Sequence, residues 1–460
     1  MKKFVSYLYI VLAGVYTTFF SIQNTFAEER RTITFSSGYL EEYYTNRQIA
    51  NFGVELFENI DFVLDKANKI IRKGINDEYS KSTLSCILYL IDYYFISSFG
   101  TSYHEFGHAM RDKAVGYDYV FIKSSADDYD DTDDIKANNK NFFKYFLDKI
   151  YYIKLSGGAT MRLTDFENGN DKLAGIDEQS FYKRSLKEGV IISAAGLNNE
   201  TYFQEKMTER TYLTNEITIS NYLFKLDSVV NDIYYAKNSD KSGDPYKIES
   251  FYKGLGINAN RKDMARAFLI SALLSQTTYG IFYNMLFKQS IIFTPLQYKG
   301  FIFPDVFPYI TTRGISYRIK SAYRYSDDLI FRFGIEFIAY GKSTQELIFG
   351  INTKLIKDNR LDLLTVFGKD GINIETTYTI PIAKHFNINL DFDLHSTKSL
   401  YGERNAYRLY ELKDPYIDTF IGKTTEDGEE KTYKMNYKQY KTKKPISYSY
   451  YLGLSLSYVF

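Results

Sequence analysis

Tryptophan is absent from this 460-residue chain, cysteine occurs once, proline seven times and histidine four times. A single thiol, Cys86, excludes an intramolecular disulfide framework, so stability must come from packing. Charge of one sign is also lacking. Lys+Arg 57 against Asp+Glu 56 leaves a formal net charge of +1, which excludes the basic balance of a nucleic-acid partner. What the chain has in excess is aromatic: 45 Tyr and 36 Phe. Its length suffices for two or more domains with full cores.

Because histidine is scarce, its pattern is informative. Two of the four fall in His104-Glu105-Phe106-Gly107-His108. On a helix this H-E-x-x-H spacing sets both imidazoles on one face, close enough to share one Zn²⁺. Glu105 then points at the open coordination position, where it takes a proton from the metal-bound water. A helix that carries this spacing by coincidence is the alternative.

The two ends of the chain speak of export. Residues 1–27 read as a secretory signal: Lys2 and Lys3, an apolar stretch from Phe4 to Phe20, then Thr25-Phe26-Ala27 with small residues at −3 and −1. An uncleaved anchor helix is the alternative. At the other end Ile446, Tyr448, Tyr450, Leu452, Leu454, Leu456 and Tyr458 alternate with Ser447, Ser449, Gly453, Ser455 and Ser457. That is the period of a strand with one apolar face. The pattern recurs at 329–337, 347–351, 372–380 and 386–394. Strands also fit near 313–325 and 360–367, and one more falls within 404–421, for a count of eight. Strands of this length with one apolar face suit a transmembrane barrel. The terminal Phe460 resembles the C-terminal signal of bacterial outer-membrane barrels, which makes membrane lipid and the barrel-assembly machinery expected partners. A soluble barrel or sandwich is the alternative. The run from Lys423 to Lys444 reads as a long external loop or a disordered insert.

Between these ends the alternation stops. Val54–Ile75 reads as an amphipathic helix. Ser82–Tyr103 is largely apolar with Asp92 as its one charge, and Ala267–Phe287 carries none until Phe287. Both runs are long enough to cross a bilayer, but their Ser, Thr, Gln, Asn and Tyr content argues for buried core helices. Asp127–Asp134 holds six Asp in eight residues without the spacing of a Ca²⁺ loop, and reads as a solvated acidic loop.

Catalytic zinc takes three protein ligands. His385 and His395 fall in the predicted strands. Glu200, at the end of Ser193-Ala194-Ala195-Gly196-Leu197-Asn198-Asn199-Glu200, is the expected third ligand, because small residues there would let its helix approach the H-E-x-x-H helix closely. Asp305, in Phe303-Pro304-Asp305, is the rival. Asp112, four residues beyond His108, is placed to orient an imidazole from behind.

These segments resemble, in order, the site-2-protease-like zinc peptidases. His104-Glu105-Phe106-Gly107-His108-Ala109-Met110 with Gly116 is similar to that family's first motif. Ser156-Gly157-Gly158-Ala159-Thr160 occupies the place of its Gly-Gly segment beside the active site, and Ala195-Gly196-Leu197-Asn198-Asn199-Glu200 that of its Ala-Gly-Pro-x-x-Asn helix. The resemblance covers about 104–200 and departs from the pattern at Leu197, Glu200 and Asp112. The family's late Asp-Gly ligand has no clear match.

The sequence therefore predicts an α+β multidomain protein: a signal peptide (1–27), a mainly helical zincin-like domain (28–290), and an antiparallel eight-stranded outer-membrane β-barrel (291–460). The expected activity is zinc-dependent hydrolysis of a protein or peptide substrate. His104, His108 and Glu200 or Asp305 hold the metal, Glu105 is the base, and Gly157-Gly158 is the strand that pairs with substrate. An even strand number puts both barrel ends, and with them the helical domain, on the periplasmic side. A non-catalytic structural or adhesive barrel with a degenerate motif, and an inner-membrane intramembrane protease, are the rival readings.

Overall fold

The computed structural model describes residues 32–37, 45–74, 77–116, 120–123, 146, 159–162, 178–241, 243–280, 292–426 and 429–459. The predicted signal, the Asp127–Asp134 run, Gly157 and Gly158 lie outside them. The chain is α+β. Strand β1 (Thr32–Ser37) leads to helices α1 (Asn46–Gly74) and α2 (Glu78–Ala114), then a hairpin of β2 (Val120–Lys123) and β3 (Ala159–Arg162). Helices α3 (Glu178–Ser193), α4 (Ala195–Thr214), α5 (Ile219–Asn238), α6 (Asp244–Gly254) and α7 (Arg261–Leu274) follow, with β4 (Ile217–Thr218) before α5. After short strands β5 (Ile292–Phe293) and β6 (Gln297–Tyr298) come β7 (Phe301–Thr311), β8 (Gly314–Ser326), β9 (Leu329–Gly341), β10 (Gln345–Lys354), β11 (Arg360–Gly368), β12 (Gly371–Ala383) and β13 (Phe386–Ser396). Helix α8 (Leu400–Asn405), hairpin β14 (Tyr410–Glu426) with β15 (Glu429–Pro445), and β16 (Tyr448–Val459) complete the chain.

Ten strands form one antiparallel sheet in the order β1-β16-β13-β12-β11-β10-β9-β8-β7-β6. Eight of them are long, as counted from sequence, but the membership differs. The strand expected within 404–421 pairs only with β15, so 410–445 is a separate hairpin instead of a loop or disordered insert. Its place is taken by β7, which alternation missed because Pro304 and Pro308 interrupt it. Proline fits only near a sheet edge or bulge; β7 is followed only by two-residue β6, and its register shifts between Ile302 and Asp305.

The sheet is not closed. Its end strands β1 and β6 do not pair with each other, so the expected closed barrel does not form from strands. Helices stand in the gap: α7 packs on β7, α5 on α7, α2 on α5, α1 on α2, and β1 on α1. Side chains from helices serve the free strand edges. Asn198 bonds both the N–H and the carbonyl of Ile310 at 2.8 Å. Ser271 donates to the Val306 carbonyl at 2.5 Å, and Ser275 accepts from the Val306 N–H at 3.1 Å. On the far edge the Thr34 N–H and hydroxyl donate to Glu55 at 2.5 and 2.7 Å. Backbone groups that a partner strand would satisfy are thus satisfied by Asn, Ser and Glu.

Helix α4 runs through this ring, with 16 of its 20 residues buried. The inward face of the sheet is accordingly polar and paired. Glu205 of α4 accepts from Lys320 (2.8 Å), Arg318 (3.1 Å) and Tyr309 (2.5 Å). Glu336 takes a fork from Arg404 at 2.6 and 2.7 Å. The outward face is apolar: Leu347, Phe349, Leu452, Leu454 and Leu456 are between 42% and 48% exposed, while Arg332, Glu336, Ser455 and Ser457 are buried. The apolar residues of β9 and β16 share the outward face, as their alternation implies. Hydrophobic clusters join residues from either side of position 290, such as Phe99, Phe203 and Phe224 with Phe307 and Tyr309.

The sheet has two distinct ends. One carries the β7–β8, β9–β10 and β11–β12 turns and the long connection from β13 to β16; the other carries the β6–β7, β8–β9, β10–β11 and β12–β13 turns and the end of β16. Helix α2 finishes at the first end, where Leu409 N–H donates to the Ala114 carbonyl (2.9 Å) and Arg111 to that of Ala406 (2.8 Å).

Candidate metal centre

The H-E-x-x-H lies on α2, one continuous helix of 37 residues that also contains the apolar run before it. The His104 imidazole faces α4, and glycine makes the approach of the two helices possible. A Cβ at Gly196 would stand 2.2 Å from His104 Nε2, and one at Gly107 would stand 2.6 Å from the Ala195 carbonyl oxygen. The close approach expected from the small residues at 194–196 is therefore present.

Each imidazole is oriented through its Nδ1. His104 Nδ1–H donates to Glu200 Oε1 at 2.6 Å, and His108 Nδ1–H donates to the Ile192 carbonyl at 2.7 Å. With Nδ1 committed as donor, Nε2 on the opposite side of each ring is the atom left to face a carboxylate or a metal. Both face Asp244 Oδ2, at 3.7 Å from His104 and 3.2 Å from His108. These three ligand atoms lie within 4.8 Å of one another. Atoms placed tetrahedrally around zinc at 2.0–2.1 Å are separated by about 3.3 Å. The three residues form a His-His-Asp cluster whose ligand atoms are close enough together to hold one metal ion.

The carboxylate that converges with the two Nε2 atoms is that of Asp244, not that of Glu200 or Asp305. Glu200 comes to the site but on the wrong side of the ring: its Oε1 holds Nδ1 and its Oε2 accepts from Ser228 at 3.0 Å. It is an orienting carboxylate. Asp305 belongs elsewhere, buried on β7 with Gln276 Nε2 at 3.0 Å, the Thr277 N–H at 3.2 Å and Lys225 at 3.5 Å. The orienting role expected of Asp112 falls to Glu200 and Ile192, which occupy both Nδ1 atoms; Asp112 itself is buried in α2. Glu105 is 7% exposed, and its carboxylate acts electrostatically on His104, His108 and Tyr235.

Asp244 is placed by the start of α6. Gly243 is the N-cap and Pro245 falls in the first turn, a proline position that costs no hydrogen bond. Tyr235 of α5 fixes the carboxylate: its hydroxyl accepts from the Asp244 N–H at 2.8 Å and donates to Oδ2 at 3.2 Å. Burial pushes the Asp244 carboxyl up, but the His108 and His104 imidazoles outweigh it and hold it well below the usual carboxylate range. Sequence reasoning missed Asp244, Tyr235 and Ser228. The available signal, an Asp-Pro at a helix start, is common in helices without metals. Asp244 follows a glycine, the reverse of the Asp-Gly order sought.

The hairpin β2–β3, next to the segment expected to bind substrate, packs against α2. No protein-family model matches the chain, and neither the curated proteins nor the solved structures contain a significant match.

Proposed function

We propose that this protein is a zinc-dependent peptidase of the H-E-x-x-H type, held in a bacterial outer membrane by the outward face of its sheet. The observation that carries the reading is the convergence of His104 Nε2, His108 Nε2 and Asp244 Oδ2, with both Nδ1 atoms tied to fixed acceptors. A zinc ion held by these atoms supplies a Lewis acid and a water of lowered pKa. Glu105, the carboxylate between the two histidines, would serve as the general base toward such a water and as the acid toward the leaving amine. Glu200 keeps His104 in the tautomer that ligates, and Tyr235 keeps Asp244 in place. A protein or peptide chain is the substrate class, received in extended form beside β3.

The membrane assignment rests on the facing of the sheet, with apolar residues outward and ion pairs inward. Strand parity predicts a periplasmic helical domain. The threading favours the other side. The metal centre lies at the end of the sheet with the one long connection, from β13 to β16, and away from the end of β16. Longer loops face outward in outer-membrane barrels, so the centre opens toward the exterior. Parity locates the chain ends but says nothing of helices that rise inside the ring.

A non-catalytic membrane protein is the second reading, favoured by how enclosed the site is: the side chains of His104, His108 and Asp244 are only 14%, 9% and 15% exposed. Metal analysis with a peptidase assay separates the two. Purified protein should hold about one zinc per chain, lost in the His104→Ala, His108→Ala double variant, and Glu105→Gln should keep the metal and lose hydrolysis. Equal zinc in wild type and double variant would refute the centre. Zinc without hydrolysis in the wild type would leave the second reading.

A further inference from the structure

We infer that helices α5 and α7 are part of the lipid-facing wall, so that the membrane unit is a ring of strands completed by helices. This rests on the outer-membrane reading above. A bilayer tolerates no unsatisfied strand edge. Here the free edge of β7 is served by Ser271 and Ser275, from α7 and its C-cap, and by Asn198 of α4. The same helix that seals the edge packs on α5, and α5 packs on α2.

The outward sides of the two helices have the chemistry that lipid requires. On α5, Leu226, Val230 and Tyr234 recur every fourth residue; on α7, Leu269, Leu273 and Leu274 share one side. These six are between 46% and 69% exposed. Inward lie Ser220, Lys225, Ser228 and Asp232, all buried. Mean hydropathy averages the two sides, so no described helix is long and apolar enough to cross a membrane as a free span. A helix in a protein wall needs only its outer side to be apolar. Charge is also sorted along the axis. The end of α5 and the start of α7 meet where Arg261 donates to the Ser239 carbonyl at 2.8 Å. Exposed Lys237, Lys241, Lys262 and Arg266, with one exposed acid, Asp240, cluster at that end, the end of the metal centre. Cations at one rim of an apolar belt suit the headgroup boundary. Asp227 of α5 accepts from the Tyr93 hydroxyl of α2 at 2.6 Å. Helix α5, 20 residues long, extends about 30 Å, the thickness of the hydrocarbon layer.

The test is depth-resolved quenching. In the full chain with Cys86→Ser, single cysteines replace Val230, Leu273, Leu454 or Lys262 and carry a bimane fluorophore. The protein is refolded into phosphatidylcholine vesicles with or without bromine on the acyl chains, and folding is checked by the heat-dependent electrophoretic shift. Quenching by brominated chains at 230 and 273 to the extent seen at 454, with 262 spared, is expected. Quenching at 454 but not at 230 or 273 would place the helices in water and overturn the inference while leaving the sheet in lipid. No quenching at 454 either would overturn the membrane reading, and this inference with it.

Discussion

Replacing Asp244 by alanine and Glu200 by glutamine separates a metal ligand from the group that orients one. Asp244 Oδ2 lies 3.2 and 3.7 Å from the two Nε2 atoms, close to the roughly 3.3 Å edge of a zinc tetrahedron. Glu200 Oε1 lies 2.6 Å from Nδ1, across the ring from Nε2, and cannot reach the same point. Zinc sites with four ligands bind with about 10–16 kcal/mol, or about 3–4 kcal/mol per ligand, so Asp244→Ala should weaken zinc by two to three orders of magnitude. Glu200→Gln keeps an acceptor for Nδ1–H but removes its charge, and losses from such outer partners run about 10–100-fold. The assay is competition with a chromophoric chelator at fixed pH, with circular dichroism to confirm folding. Asp244→Asn, which retains the side-chain volume beside Tyr235, controls for packing. Wild-type affinity in Asp244→Ala, or a larger loss in Glu200→Gln than in Asp244→Ala, would refute the ligand assignment.

Four further outcomes follow from the sheet. Leu454→Arg, on the apolar face, should cost about 2–4 kcal/mol of insertion and weaken the heat-modifiable band; in water an exposed site of this kind is near neutral, so an unchanged band would refute a lipid face there. Ser455→Arg would be tolerated in a water-filled lumen, but Ser455 is buried and accepts from Asn389 at 3.2 Å, so it should destabilise by about 1–3 kcal/mol in urea melts, and wild-type stability would contradict the packed interior. Arg318→Met removes a fully buried cation that pairs with Glu205 and Glu336 and should cost about 3–5 kcal/mol, read as a lower urea midpoint; no shift would show that the network does not act as paired charges. With Cys86→Ser, a cysteine at Glu411 on the long connection should react with an impermeant maleimide on intact cells, and one at Asp327 in the β8–β9 turn only after permeabilisation; the reverse pattern would put the metal centre in the periplasm.

The sequence by itself determined what depends on neighbours in the chain. The spacing of His104 and His108 needs only one helix, and α2 supplies it. Period-two alternation set the facing of β9 and β16, since a slip by one residue would turn every apolar side chain inward. Small residues at 194–196 signalled a close helix approach, realised at Gly196. Tertiary structure decided what depends on contacts between distant segments. Glu200 and Asp244 both reach His104, one on each side of the ring, and only the path of α6 tells which faces Nε2. Strand β7 broke the alternation rule because an edge strand can hold proline. The sheet stayed open because Asn198, Ser271, Ser275 and Glu55 satisfy its edges. Side chain-to-backbone bonds of this kind leave no periodic trace, so the completion of the ring by helices was decided by packing alone.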